Sequence, residues 1–135
     1  MENLFNSVTT QVINLNCSYE KAWISLSNPF FQKEWGRSFF KDIREEMSSF
    51  KADTRFGLMD MKVESDKTTG VIDTYMNGAL TNPSRLTKLG DNACIYTFIL
   101  FKPASAPVEM FQSMGISNLI KDLEVLKQIL ENSTN

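Results

Sequence analysis

From Val108 onward the apolar residues recur at every third or fourth position: Val108, Phe111, Gly115, Leu119, Leu123, Leu126 and Leu130. That spacing marks one face of an α-helix. Pro107 and Glu109 suit its first turn, the proline through its preset φ and the glutamate through its charge at the positive end of the helix dipole. A helix from there to Asn132 has about 26 residues and a length of roughly 39 Å. Its apolar stripe constrains the fold more than any other feature, because a second layer of similar length must cover it. The two halves of the stripe differ. The C-terminal half is leucine throughout, which predicts solid packing, whereas the N-terminal half sets Gln112 and Gly115 beside Phe111, with Met110 and Met114 on the flanks. Glycine and glutamine leave room and a polar handle, so either a cavity lies beneath that half or Gly115 permits a close approach to a strand; the cavity is the expectation.

The second layer is legible upstream. Val8 to Leu15, "VTTQVINL", is a β-branched run that reads as a strand. Ser18 is an N-cap for a short helix with Tyr19, Ala22, Trp23 and Leu26 on one face. Asn28 then caps a second short helix with Pro29 at its first position, which Gly36 can end. Strand-like runs follow at about 38 to 47, 54 to 65, 71 to 77, 84 to 89 and 93 to 102. Short connections such as "DKTTG" and "GDN" make neighbouring strands antiparallel. At about Ser105 the period changes from two to 3.6. The expectation is one α+β domain over residues 1–135: about six antiparallel strands and a long C-terminal helix, with two short helices after the first strand.

Composition narrows the function classes. The net charge is −2, with no run of Lys or Arg, so the chain lacks the electrostatic footprint of a nucleic-acid partner. No apolar stretch reaches membrane-spanning length, and the N-terminus has no basic segment followed by an apolar run, which together predict a cytoplasmic protein. Histidine is absent. That removes the usual general base, most zinc sites and every Ser-His or Cys-His nucleophile pair, so neither a metal nor another cofactor is expected. Cys17 and Cys94 fit no CxxC spacing and read as reduced small hydrophobes. Ten Phe and seven Met make a soft, aromatic interior, which suits a core and equally a pocket for an apolar guest.

The segments "INLNCSYEKAWISLSNPFFQKEW" and "TGVIDTYMNGALTNPSRLTKLGDNACIYTFILFKP", followed by "DLEVLKQILE", resemble the START-like superfamily. This is the helix-grip group of birch-pollen allergens, lipid-transport proteins and polyketide cyclases. The likeness covers essentially the whole chain. It implies a curved sheet gripping the long helix, with an apolar pocket between them for a lipid or polyketide-like molecule. Two features set this chain apart: six strands are counted where many members have seven, and the histidine-bearing catalytic sets of some cyclases cannot exist here.

Candidate site residues follow from position. Pro83 cannot donate to a strand ladder, so it marks the start or a bulge of its strand, a place where Arg85 can turn towards a pocket mouth. Asp73 on the preceding strand is its candidate partner: turned towards the pocket, the pair would orient a ligand carboxylate or carbonyl, and turned to solvent it would be an ordinary cross-strand pair worth well under about 1 kcal/mol. Tyr75 shares the face of Asp73, and Tyr96 alternates with Cys94, Phe98 and Leu100. Asp60 falls in the opposite phase to Met59 and Met61 and is expected to point outward. The ligand-binding set is therefore Trp23, Trp35, Met59, Met61, Asp73, Tyr75, Arg85, Tyr96, Phe98, Met110, Phe111, Met114 and Gly115. Trp23 and Trp35 belong to an aromatic group with Phe30, Phe31, Phe39 and Phe40 around the short helices, which reads either as a rim to the cavity or as ordinary packing. Asp73, Arg85 and Tyr75 are the catalytic candidates if there is catalysis. The last strand is apolar in both phases, so either a second copy covers its outer side, as a homodimer, or the strand is central and simply rich in β-formers.

Three functions fit this reading. The first is binding or transport of a hydrophobic small molecule. The second is a cyclase or dehydratase with Asp73 as base and Tyr75, Tyr96 or Arg85 at an enolate oxygen. The third is a protein-interaction module like the co-chaperone domains that share the fold.

Overall fold

The computed structural model describes residues 7–104 and 106–132, so Met1–Asn6, Ser105 and the last three residues lie outside the described part. Strand β1 (Val8–Leu15) leads into helix α1 (Tyr19–Leu26), whose N-cap Ser18 accepts the Lys21 N–H at 3.2 Å. Asn28 then accepts the Phe30 N–H at 3.1 Å and opens a 3₁₀ turn, Pro29–Phe31. That turn continues as the single-turn helix α2 (Gln32–Trp35), and the Gly36 N–H closes it on the Gln32 carbonyl. Both caps stand where side-chain chemistry places them.

Six strands follow: β2 (Phe40–Glu46), β3 (Ser49–Thr54), β4 (Gly57–Asp66), β5 (Val71–Met76), β6 (Ala79–Gly90) and β7 (Ala93–Phe101). Each pairs antiparallel with the next, and β1 closes the set beside β7, giving the order β1-β7-β6-β5-β4-β3-β2. The curved sheet thus has seven strands where about six were expected. The missing one is β3, and the cause is its turn. Met47 and Ser48 join β2 to β3 with φ of 50° and 69°, the positive values of a type I′ turn. That turn normally announces itself as Asn-Gly, and Met-Ser carries no such signal.

The Asn-Gly signature does occur at Asn77–Gly78, which have φ of 52° and 82° and join β5 to β6. As a result β6 begins at Ala79, well before Pro83, instead of at residue 84. Pro83 lies inside the strand opposite Asp73, and the register slips at Thr74/Tyr75, where Thr81 is the extra residue and donates its hydroxyl to the Thr74 carbonyl at 3.2 Å.

The long helix forms in the expected place with one irregularity. It runs as α3 (Val108–Met110), a π turn (Phe111–Gly115) and α4 (Ile116–Asn132). On its inner face Leu119, Leu123, Leu126 and Leu130 are buried against Leu15, Ile72, Leu86 and Tyr96 of the sheet and Trp23 of α1. A second buried cluster, Ile43, Ala52, Met61 and Met76, fills the end of the sheet near β2.

Candidate functional site

Alternation along each strand decides what faces the helix. On β5 the buried residues are Ile72, Thr74 and Met76; on β6 they are Ser84 and Leu86, and on β7 Cys94, Tyr96 and Phe98. On these three strands, then, three hydroxyls stand among apolar residues of the inner face. Each has a partner: Thr74 Oγ1 accepts from Gln32 Nε2 at 2.9 Å, Tyr96 Oη donates to Ser84 Oγ at 3.1 Å, and Ser84 Oγ donates to the Ile72 carbonyl at 2.6 Å. Burial pushes the Tyr96 phenol well above its ordinary pKa, so it stays a neutral donor.

Helix α2 covers this patch. Gln32 and Trp35 are one helical turn apart and both are buried, Trp35 to 4% exposure. The Trp35 ring stands edge-on to Phe98, with centroids 5.5 Å apart, and to Tyr96 at 6.4 Å. Its Nε1–H has no acceptor, the one buried side-chain nitrogen or oxygen among the described residues in that condition. Beyond α2, Asp122 of α4 accepts hydrogen bonds from the Ser38 backbone N–H, at 3.3 Å, and from the Ser38 hydroxyl. Burial raises its carboxyl above the usual aspartate value and outweighs the two hydrogen bonds, which lower it.

Of the expected ligand-binding set, Trp35, Tyr96 and Phe98 come together in this patch. Trp23 belongs with them to the main buried core and is stacked on Tyr19 at 6.1 Å. Met61 is buried and Met59 half-buried, both on the inner face towards β2, while Asp60 points outward and pairs with Lys51. Phe111 is buried in the π turn.

The remaining placements correct the sequence reading. Asp73, Tyr75 and Arg85 lie on the outer face, in the phase opposite to Ile72, Thr74 and Leu86. Arg85 does not pair with Asp73; it donates to the Thr69 carbonyl at 3.0 Å and borders an open depression with Tyr19 and Lys67. Asp73 sits between Glu64 and Pro83, and the Tyr75 ring lies beneath the Lys62 ammonium at 5.1 Å. Period two showed correctly that Asp73 and Tyr75 share a face, but it is the face away from the helix. Met110 and Met114 are 52% and 47% exposed, and Gln112 is exposed as well. Gly115 accommodates the Phe111 ring, since a Cβ there would stand 3.3 Å from its Cδ1. The glycine thus makes room for an aromatic side chain of its own helix. The aromatic group divides too: the tryptophans are core, whereas Phe30 packs edge-on to Phe50 at 5.3 Å and Phe39 meets Phe40 and Phe56 nearer the surface.

Sequence reasoning missed Gln32, Thr74, Ser84 and Asp122. A signal existed for two of them: Gln32 stands three residues before Trp35, and Thr74 alternates with Ile72 and Met76.

A curved seven-stranded antiparallel sheet holding a long C-terminal helix, with short helices after the first strand, decides the architecture. The chain has the helix-grip fold. Solved structures agree across nearly its whole length. A START superfamily protein from Mycobacterium smegmatis superposes with a TM-score of 0.72 at 13% identity, over 95% of this chain and 99% of its own. The Zhui aromatase/cyclase from a Streptomyces species gives 0.69 at 11% identity, over 93% of each chain. The Aha1 dimer from Colwellia psychrerythraea gives 0.67 at 18% identity, over 95% of this chain and 98% of the other. At such identities these helix-grip neighbours share the fold alone. No family model matches the sequence, nor does any curated protein. No helix among the described residues is long and apolar enough to cross a membrane.

Proposed function

We propose that the protein binds a hydrophobic small molecule, of lipid or polyketide-like character, between the inner face of the sheet and the layer formed by α2 and the long helix. The observation that carries this reading is the inner face itself: apolar residues surround three neutral hydroxyls beneath Trp35, the combination by which a pocket binds an apolar body and orients it through a few polar atoms. The π turn adds support, because such turns occur frequently at functional sites and this one holds Phe111 at the N-terminal half of the helix. The ligand-facing residues in this proposal are Trp35, Met61, Thr74, Tyr96, Phe98 and Phe111.

The test is native mass spectrometry of the protein purified from its own host, set against its denatured mass. A bound species of a few hundred daltons that is lost on denaturation is the expected result. A bare mass that also stays bare after incubation with a mixed lipid extract overturns the reading.

For the outer face of β1 and β7 we propose a second copy of the chain. Val12 is 61% exposed there, Phe101 is exposed, and the Colwellia neighbour was solved as a dimer. Sedimentation velocity should show a dimer that Val12→Lys shifts to monomer; a monomeric parent protein refutes the pairing.

A further inference from the structure

We infer that the polar atom of the ligand is a neutral oxygen acceptor, a ketone, ester or amide carbonyl, and that it accepts its hydrogen bond from Trp35 Nε1. This rests on the binding reading above and specifies the ligand chemistry. The hydroxyls of β5–β7 on the inner face already have partners: Thr74 accepts from the Gln32 amide, Tyr96 donates to Ser84, and Ser84 donates to the Ile72 carbonyl. Trp35 is the exception. Its N–H is buried, held in place by edge-on contacts to Tyr96 and Phe98, and has no acceptor. A buried donor left unpaired is unfavourable, and indole is a donor only, so what completes the site is an acceptor.

Charge selects among acceptors. Among the described residues no Lys or Arg is buried, and the one buried ionisable carboxyl is Asp122. A ligand carboxylate would lose its hydration there with no cation to receive it, next to a layer that already contains an acid. A pure hydrocarbon would leave Trp35 Nε1 unpaired. The neutral carbonyl avoids both costs. The inference also replaces the orienting role expected of Arg85 and Asp73, which face the other way.

The experiment uses three probes of one shape: fluorenone, fluorene and fluorene-carboxylate. Affinities are measured on the full chain, and the indole N–H resonance of Trp35, assigned by its loss in Trp35→Phe, is followed in isotope-labelled protein. Fluorenone should bind about tenfold more tightly than fluorene, the worth of one buried hydrogen bond, and should move the Trp35 resonance downfield. In Trp35→Phe the two should bind equally. If that variant does not fold, benzothienylalanine in a Trp23→Phe background replaces the N–H by sulfur at nearly constant shape and should equalise the probes in the same way. Equal binding of ketone and hydrocarbon to the parent, or tightest binding of the carboxylate, overturns the inference and leaves the apolar pocket standing. Binding of none of the three, even with lipid found in the host-purified protein, overturns the inference alone; a bare host-purified mass as well overturns both.

Discussion

Gly70 shows how closely single residues are held. Its φ is +81°, and a Cβ there would lie 1.9 Å from the Leu86 carbonyl oxygen. The Gly70 carbonyl itself accepts from Leu86 N–H at 2.8 Å, so the β4–β5 turn is tied to β6 at this point. Gly70→Ala should therefore cost more than about 2 kcal/mol, measured by urea denaturation, since both the backbone strain and the collision oppose it. Asp122 makes a different prediction. Its folded pKa is raised above the ordinary 3.8, so the folded state keeps this proton to higher pH than the unfolded chain does. Stability from this group is therefore greatest at low pH and falls as pH rises from the ordinary value through the raised one. Asp122→Asn keeps an oxygen for Ser38 and removes the charge. The stability of the variant relative to the parent should grow with pH across that window and then level off, and a difference that stays constant with pH refutes the account. Burial also raises both thiols, Cys94 to about 12, so Cys17 and Cys94 should react with a disulfide reagent only as fast as the protein opens.

At the scale of elements, the turns decide most. Two hairpins use the same type I′ geometry with unlike sequences, Asn77–Gly78 and Met47–Ser48. Asn-Gly adopts positive φ at little cost, whereas Met and Ser do so under strain. Replacing Met47 and Ser48 together by Asn and Gly should raise stability by about 1 kcal/mol without altering the fold, seen as a higher urea midpoint at unchanged slope. Met47 is fully exposed, so no packing is lost. The same contrast explains which strands could be read. The reversal after β5 carries an Asn-Gly signature, whereas nothing local in "EEMSSF" signals the one before β3. The spacing begins β6 at residue 84, with Pro83 as its start or a bulge, whereas the strand starts at Ala79 and has its irregularity at Thr81. In the sheet the missing donor of Pro83 is tolerated next to that irregularity.

Across the whole molecule, the leucine stripe of α4 joins the layers. Leu126 is completely buried among residues from the sheet and α1. Leu126→Ala should destabilise the protein by roughly 3 kcal/mol through lost burial and the cavity left behind. An effect below about 1 kcal/mol would mean that the layers are not packed through this residue. The N-terminal turns of the long helix are built otherwise, with a π turn, exposed methionines and one buried phenylalanine. The cavity expected beneath this half rested on Gln112 and Gly115, and neither plays that part: Gln112 is exposed, and Gly115 makes room for the Phe111 ring of its own helix.

Local spacing was enough to determine the long helix, the caps at Ser18 and Asn28, and the alternation of Cys94, Tyr96 and Phe98, because each depends on backbone geometry within a few residues. It also paired Asp73 with Tyr75 on one face. Only the tertiary structure decided which face that is. On β5, Val71, Asp73 and Tyr75 compete with Ile72, Thr74 and Met76 for the interior, and a strand's period is the same whichever set wins. The choice belongs to the packed assembly: seven strands in register bury Ile72 and Met76 with their neighbours, while Thr74 keeps its hydrogen bond to Gln32. Burying Asp73 instead would leave a carboxylate without a partner.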